Sequence, residues 1–153
     1  MEILNGSAWE VLIAPLAAMI ISQLIKVVRG RKNGKLAWSE LNKYGGMPSS
    51  HTGLFIALTA IVGLTVGFVS PLFFVTLFVS ITFIRDAIGI RWSLGFHGKM
   101  LNKLIDELPQ TEQKEYPGHL EERLGHTPYE AVVGGMLGFF IALLTHGLFL
   151  MLQ

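Results

Sequence analysis

The sequence predicts an all-α protein: a polytopic transmembrane helical bundle of about four spans, with room for a fifth, plus a short interfacial helix. Three observations carry that prediction. Of 153 residues, 51% are hydrophobic and only 15% are charged, whereas an average soluble domain carries about 25% charged residues. The mean hydropathy is +0.51. Lys and Arg are absent from 1–25, 44–84 and 124–153, and the long apolar blocks fall in those gaps. A soluble bundle with buried core helices is the competing reading, but so few charges leave too little polar surface for it. The length suits one integral-membrane domain, 1–153.

The first block, about 8–28, is long enough for a hydrocarbon core about 30 Å thick, which takes roughly 20 helical residues. It reads as a membrane helix and not as a signal peptide, because Glu2 and Glu10 stand where a basic leader region is expected. Lys26, Arg29, Arg31 and Lys32 follow it as a stop-transfer stretch. Pro15 lies inside it as a potential kink. The second block, 49–69, ends at Ser70-Pro71. A third, 71–90, follows at once, and the last covers 129–151. Gly63-x-x-x-Gly67 and Gly134-x-x-x-Gly138 are either close helix crossings or the ordinary glycine of membrane helices. Segment 97–108 places apolar residues at 100, 101, 104, 105 and 108 on one helical face, which reads as the interfacial helix. Segment 109–119, with Pro109 and Pro117, reads as a loop.

The remaining polar segments, 29–48 and 91–127, hold nearly all the cations, including Lys35, Lys43, Lys99, Lys103, Lys114 and Arg123. Positive residues favour the cytoplasm. Both segments are therefore expected on the cytoplasmic side of a bacterial plasma membrane, with both termini outside and an even number of spans between them. The 12 Lys and Arg against 11 Asp and Glu leave a net charge of +1, which argues against nucleic acid as a partner. The absence of cysteine removes disulfides, thiolate metal sites and a cysteine nucleophile.

Three clusters can do chemistry. Gly45-Gly46-Met47-Pro48-Ser49-Ser50-His51 stands where a polar segment enters the second span. Its glycines allow a tight turn, and the N–H groups of a helix start hold phosphate well. The bland alternative is a Gly-Pro turn with a Ser cap. Gly125-His126-Thr127-Pro128-Tyr129-Glu130 stands at the entry to the last span. His126 and Glu130 share a helical face, so the carboxylate can accept the imidazole Nδ1–H and leave Nε2 as a nucleophile or base. A cap interaction is the alternative, and His51, His126 and Glu130 as metal ligands is a third. Arg85-Asp86, followed by Arg91, closes the third span. These residues form either an ion pair or a phosphate clamp. Lys26 and Gln23 end the first span at the same face, with Lys26 a phosphate ligand or a snorkelling anchor. Together these parts are what phosphoryl transfer through a phosphohistidine needs.

These residues also resemble a known superfamily. Pro48-Ser49-Ser50-His51 is similar to the Pro-Ser-Gly-His motif of type 2 phosphatidic acid phosphatases and vanadium haloperoxidases. Gly125-His126-x-x-x-Glu130-x-x-x-Gly134 is similar to the element that carries its nucleophilic histidine. The motifs at 45–51, 85–91 and 124–128 resemble more closely a divergent membrane branch of that superfamily, described as acid phosphatase/vanadium-dependent haloperoxidase-related. The resemblance implies His126 as nucleophile, Glu130 as its orienting partner and His51 as general acid. It implies Lys26, Gly46, Ser49 and Ser50 as the phosphate cradle, and neither metal nor other cofactor. Leu120 stands where the superfamily has an arginine, and Arg85 or Arg91 is expected to substitute. The expected activity is a membrane-embedded, metal-independent phosphatase for a lipid-like phosphate or diphosphate, a phosphoric ester hydrolase working at the cytoplasmic face. The alternative is a non-enzymatic lipid-phosphate binder or transport protein that keeps the cradle. The bilayer is the expected partner, and a homo-oligomer is compatible with the sequence.

Overall fold

The computed structural model describes residues 2–31, 35–38, 45–116 and 118–152, with side chains from Ala8 onward. Lys32, Lys43 and Pro117 lie outside the described residues. Among the described residues six helices follow in order: α1 Glu2–Arg29, α2 Ser50–Val66, α3 Pro71–Ile88, α4 Ile90–Asp106, α5 Gln110–Gln113 and α6 Pro128–Met151. The segments Ala8–Arg29, Pro71–Asp106 and Pro128–Met151 are long and apolar enough to cross a membrane. The apolar α2 has 17 residues, about 26 Å at 1.5 Å per residue.

The starts of α3 and α6 are chemically marked. Ser70 caps α3 by accepting the Phe73 N–H, with Pro71 at the first turn. Thr127 caps α6, with Pro128 behind it. Both follow the preference for a hydroxyl cap and an early proline. Pro15 lies inside α1, which continues unbroken past it. Gly67, at φ +105°, ends α2.

Helix α2 is the centre of the bundle and packs against α1, α3 and α6. The core it shares with α1 and α6 consists of Ala14, Ala18, Ala57, Ala60, Ile61, Ile141 and Ala142. Small residues allow the close backbone approach that drives helix association in lipid. The larger side chains, among them Phe74, Phe78, Phe140 and Leu144, are exposed on the outside. Against α3, the Thr59 and Ser80 hydroxyls meet at 2.7 Å, and Ser80 donates to the Phe55 carbonyl at 3.0 Å.

Of the two glycine pairs, only one makes a helix crossing. A Cβ at Gly134 would overlap Ser49 backbone, and one at Gly138 would overlap Gly53 backbone, so α6 lies directly on α2. Gly63 instead makes room for the Phe68 ring, 2.5 Å from where its Cβ would stand. The amphipathic helix expected over 97–108 begins seven residues earlier, at Ile90. Only Gly89 separates it from α3, and Ile90 and Leu94 extend the same apolar stripe. Within 109–119, residues 110–113 form the short turn α5.

Candidate active site

The helix ends that carry the three clusters gather at one end of the bundle. Gly45 and Gly46 have φ of +80° and +84°, followed by a cis Met47–Pro48 bond. This turn delivers Ser49 as the N-cap of α2. Ser49 is fully buried. Its hydroxyl accepts the Thr52 N–H at 3.3 Å and pairs with the Thr52 hydroxyl at 3.0 Å. Its own N–H donates to the Glu130 carbonyl at 3.2 Å. Ser49 therefore joins α2 to α6 and presents no surface to a ligand. Ser50 is buried. His51, one residue on, is exposed.

His126 lies just before α6 and is 4% exposed. Its ring centroid is 6.4 Å from that of His51, with the planes tilted by 55°. The sequence separation of 75 residues is closed by the α2–α6 glycine contact. Lys26, in the last turn of α1, is 7% exposed, and its charge acts on both histidines. Burial holds the His126 pKa below its ordinary 6.5, and Lys26 lowers it further, against an opposing pull from Glu130. The ring is thus held toward its neutral, nucleophilic form.

Glu130 has two tasks. It forms a capping box with Thr127: the Thr127 N–H donates to Glu130 Oε2 at 3.0 Å, and the Glu130 N–H donates to the Thr127 hydroxyl at 3.2 Å. The same Oε2 stands 3.5 Å from His126 Nδ1. Nδ1 is buried and makes no hydrogen bond among the described residues. The contact is a charge beside the ring, too long for a strong hydrogen bond. The cap reading and the partner reading of Glu130 thus describe the same carboxylate. Beside it is a polar cavity of about 450 Å³, lined by Lys26, Arg29, Gly46, Arg123, Thr127 and Glu130. Buried Gln23 Oε1, one turn before Lys26, has no hydrogen-bond partner among the described residues. Also among the described residues, no group of three His, Asp or Glu gathers closely enough to hold a metal ion.

The two arginines separate. Arg91 binds Asp86 through Nε at 2.7 Å, and its charge reaches His51. Arg85 does not join the histidines. The His126 N–H donates to the Ala87 carbonyl at 2.9 Å. Arg85 lies two residues before Ala87, about 200° around the helix. It is exposed and lines a different groove.

Sequence reasoning missed how the His126 loop is held. Helix α4 offers Gly95, Gly98 and Asn102 on one face, and all three are buried. A Cβ at Gly95 would stand 2.6 Å from the Glu122 carbonyl oxygen, and one at Gly98 2.8 Å from that of Glu121. Asn102 acts as a substitute peptide. Its Nδ2 donates to the Leu120 carbonyl at 2.9 Å and to Glu122 Oε1 at 2.8 Å, and its Oδ1 accepts the Leu120 N–H at 2.9 Å. The signal was Gly95-x-x-Gly98-x-x-x-Asn102 at helical spacing. The stronger apolar stripe on the same helix masks it.

Comparison with known proteins agrees with this architecture. A family profile described as "Divergent PAP2 family" matches residues 8–141. The "Uncharacterized membrane protein YuiD" of Bacillus subtilis (strain 168) is 36% identical over 143 residues, covering 86% of this chain and 90% of the relative. No solved structure matches significantly. With its apolar helices, the match places the protein in a membrane as an integral helical bundle. The profile spans α1 to α6, with the paired histidines inside it, and the chain belongs to the Divergent PAP2 family.

Proposed function

We propose that the protein is a membrane-embedded, metal-independent phosphatase for a lipid-like phosphate or diphosphate. The observation that carries this reading is the convergence of His51 and His126, at 6.4 Å between ring centroids, beside the buried cation Lys26. Family membership supports it. In the proposed reaction His126 Nε2 attacks phosphorus, the P–O bond to the leaving group breaks, and His51 gives that oxygen its proton. Water then attacks the phosphohistidine. His51 takes the water proton, the P–N bond breaks, and His126 is restored as inorganic phosphate leaves. Lys26 and the N–H groups around Gly46 and Ser50 stabilise charge on the phosphoryl oxygens. Arg91 is the better placed of the two arginines to assist. Glu130 balances the cationic imidazole that forms on phosphorylation. The site is proposed to face the cytoplasm, with both termini outside, on the distribution of Lys and Arg.

A second reading, a non-enzymatic lipid-phosphate binder, has an observation of its own. Glu130 Oε2 already accepts the Thr127 N–H and stands 3.5 Å from Nδ1, and Arg85 is turned away. The deciding experiment measures phosphate release by purified protein from lipid monophosphates and diphosphates, without metal and with vanadate as inhibitor. His126→Ala and His51→Ala should each abolish release. Undiminished release in both variants overturns the proposed roles, and lipid-phosphate binding without turnover selects the binder.

A further inference from the structure

The bend at Gly89 creates a second site, on the opposite face of α3 from the histidines. A groove of about 920 Å³ lies between α3 and α4. Ile81, Phe83 and Leu94 form its apolar wall, and each is about half exposed. Arg85, Ser93 and His97 form its polar end. Ser93 and His97 are four apart on α4 and therefore share a face. The other charged group in the groove, Asp86, has its carboxylate held by Arg91 at 2.7 Å. Arg85 makes no side-chain hydrogen bond or ion pair among the described residues, and no unengaged carboxylate offsets it.

We propose that this groove binds an anionic phospholipid of the surrounding bilayer, separately from the candidate active site. Arg85 is the first cation after 41 residues without Lys or Arg, so it marks where α3 leaves the hydrocarbon. Ile81 is one turn, about 6 Å, deeper along the helix axis. The groove thus has a cationic end at headgroup level and an apolar end at acyl-chain level, the outline of one amphiphile. The Arg85 guanidinium takes the phosphate as a fork, with the Ser93 hydroxyl as a further donor. The Ile81 and Phe83 surface takes the first part of the chain. A free phosphate would use only the cationic end, and a zwitterionic lipid would bring its own cation to Arg85.

The test uses delipidated full-length protein in detergent, offered phosphatidylglycerol and phosphatidylcholine with identical chains. Bound lipid is counted by native mass spectrometry. The protein should retain phosphatidylglycerol in preference. Arg85→Gln should cut that preference about tenfold, the scale of one charge-assisted hydrogen bond. Ser93→Glu, which puts a negative charge into the groove from the other helix, should cut it similarly. His126→Ala and Arg29→Gln should leave it intact, because they act at the other site. Glycerol phosphate, the soluble headgroup, should not displace the lipid at equal concentration. An unchanged preference in both Arg85→Gln and Ser93→Glu overturns the proposal, as does displacement by glycerol phosphate.

Discussion

The backbone N–H of His126 donates to the carbonyl of Ala87 at 2.9 Å. One hydrogen bond thus ties His126, two residues before α6, to the last turn of α3. Gly125 makes it feasible. At φ +77°, a Cβ there would stand 2.5 Å from the Trp92 nitrogen and 2.7 Å from the Ala87 oxygen. Gly125→Ala is expected to cost at least about 2 kcal/mol, from left-handed strain plus overlap. It should also shift the His126 ring resonances. Gly118→Ala, at a position with open space around it, is the matched control. Equal thermal midpoints for the two variants would contradict this account.

The α2–α6 crossing gives a second prediction. Gly134→Ala and Gly138→Ala should each destabilise by about 1–3 kcal/mol or more, because backbone rather than a movable side chain occupies the space. Gly135→Ala should be nearly neutral, since its Cβ would meet Ile56 and Thr52 at 3.5 Å. Thermal unfolding in one detergent ranks the three.

Asn102 is testable apart from any reaction. Asn102→Leu leaves the half-buried Leu120 N–H and carbonyl without their partner, an expected loss of about 1–3 kcal/mol. Asn102→Asp removes both Nδ2 donors and sets a second carboxylate against Glu122. Hydrogen exchange at the Leu120 amide should accelerate more in Asn102→Leu, which removes its acceptor, than in Asn102→Asp, which keeps an oxygen for it, while amides in the core turns of α2 stay protected.

The pH dependence follows from His126. Its folded-state pKa lies below 6.5 because of burial first and Lys26 second. Between the two values the unfolded chain binds a proton that the folded chain does not. The stability contributed by this group is therefore complete above pH 6.5 and falls as pH drops toward and through the folded midpoint. An imidazole NMR titration should place that midpoint under 6.5. Glu130→Gln keeps an oxygen for the Thr127 N–H, so the cap should survive, but the midpoint should fall further once the carboxylate charge is gone. Glu130→Ala should also lose the reciprocal half of the capping box, the bond from the Thr127 N–H, about 0.5–1.5 kcal/mol. A midpoint that rises in Glu130→Gln would refute the assigned electrostatics.

What the sequence revealed follows from the kind of signal each element leaves. Spans leave composition, and helix starts leave local chemistry, so the apolar blocks, Ser70-Pro71 and Thr127-Pro128 were legible. The pairing of Gly134 and Gly138 with Ser49 and Gly53 was only half legible, because a glycine pair names a close contact and not its partner. Gly63 has the same spacing and makes no crossing. The two histidines could be placed at one face by counting spans, but not at 6.4 Å. Arg85 and Arg91 were indistinguishable until the bend at Gly89 set their directions. The seat on α4 was hidden because buried Gly95, Gly98 and Asn102 lie on a helix whose apolar stripe carries the stronger pattern.

The alanine-built core has a thermal consequence. Most bulky apolar side chains of this bundle face outward, so parting the helices within a bilayer brings little new apolar surface into contact with water. Heat-capacity change on unfolding scales with that surface. Ala14, Ala18, Ala57 and Ala142 therefore imply a shallow stability curve, with neither the pronounced optimum nor the cold-induced weakening of a water-soluble domain of this length.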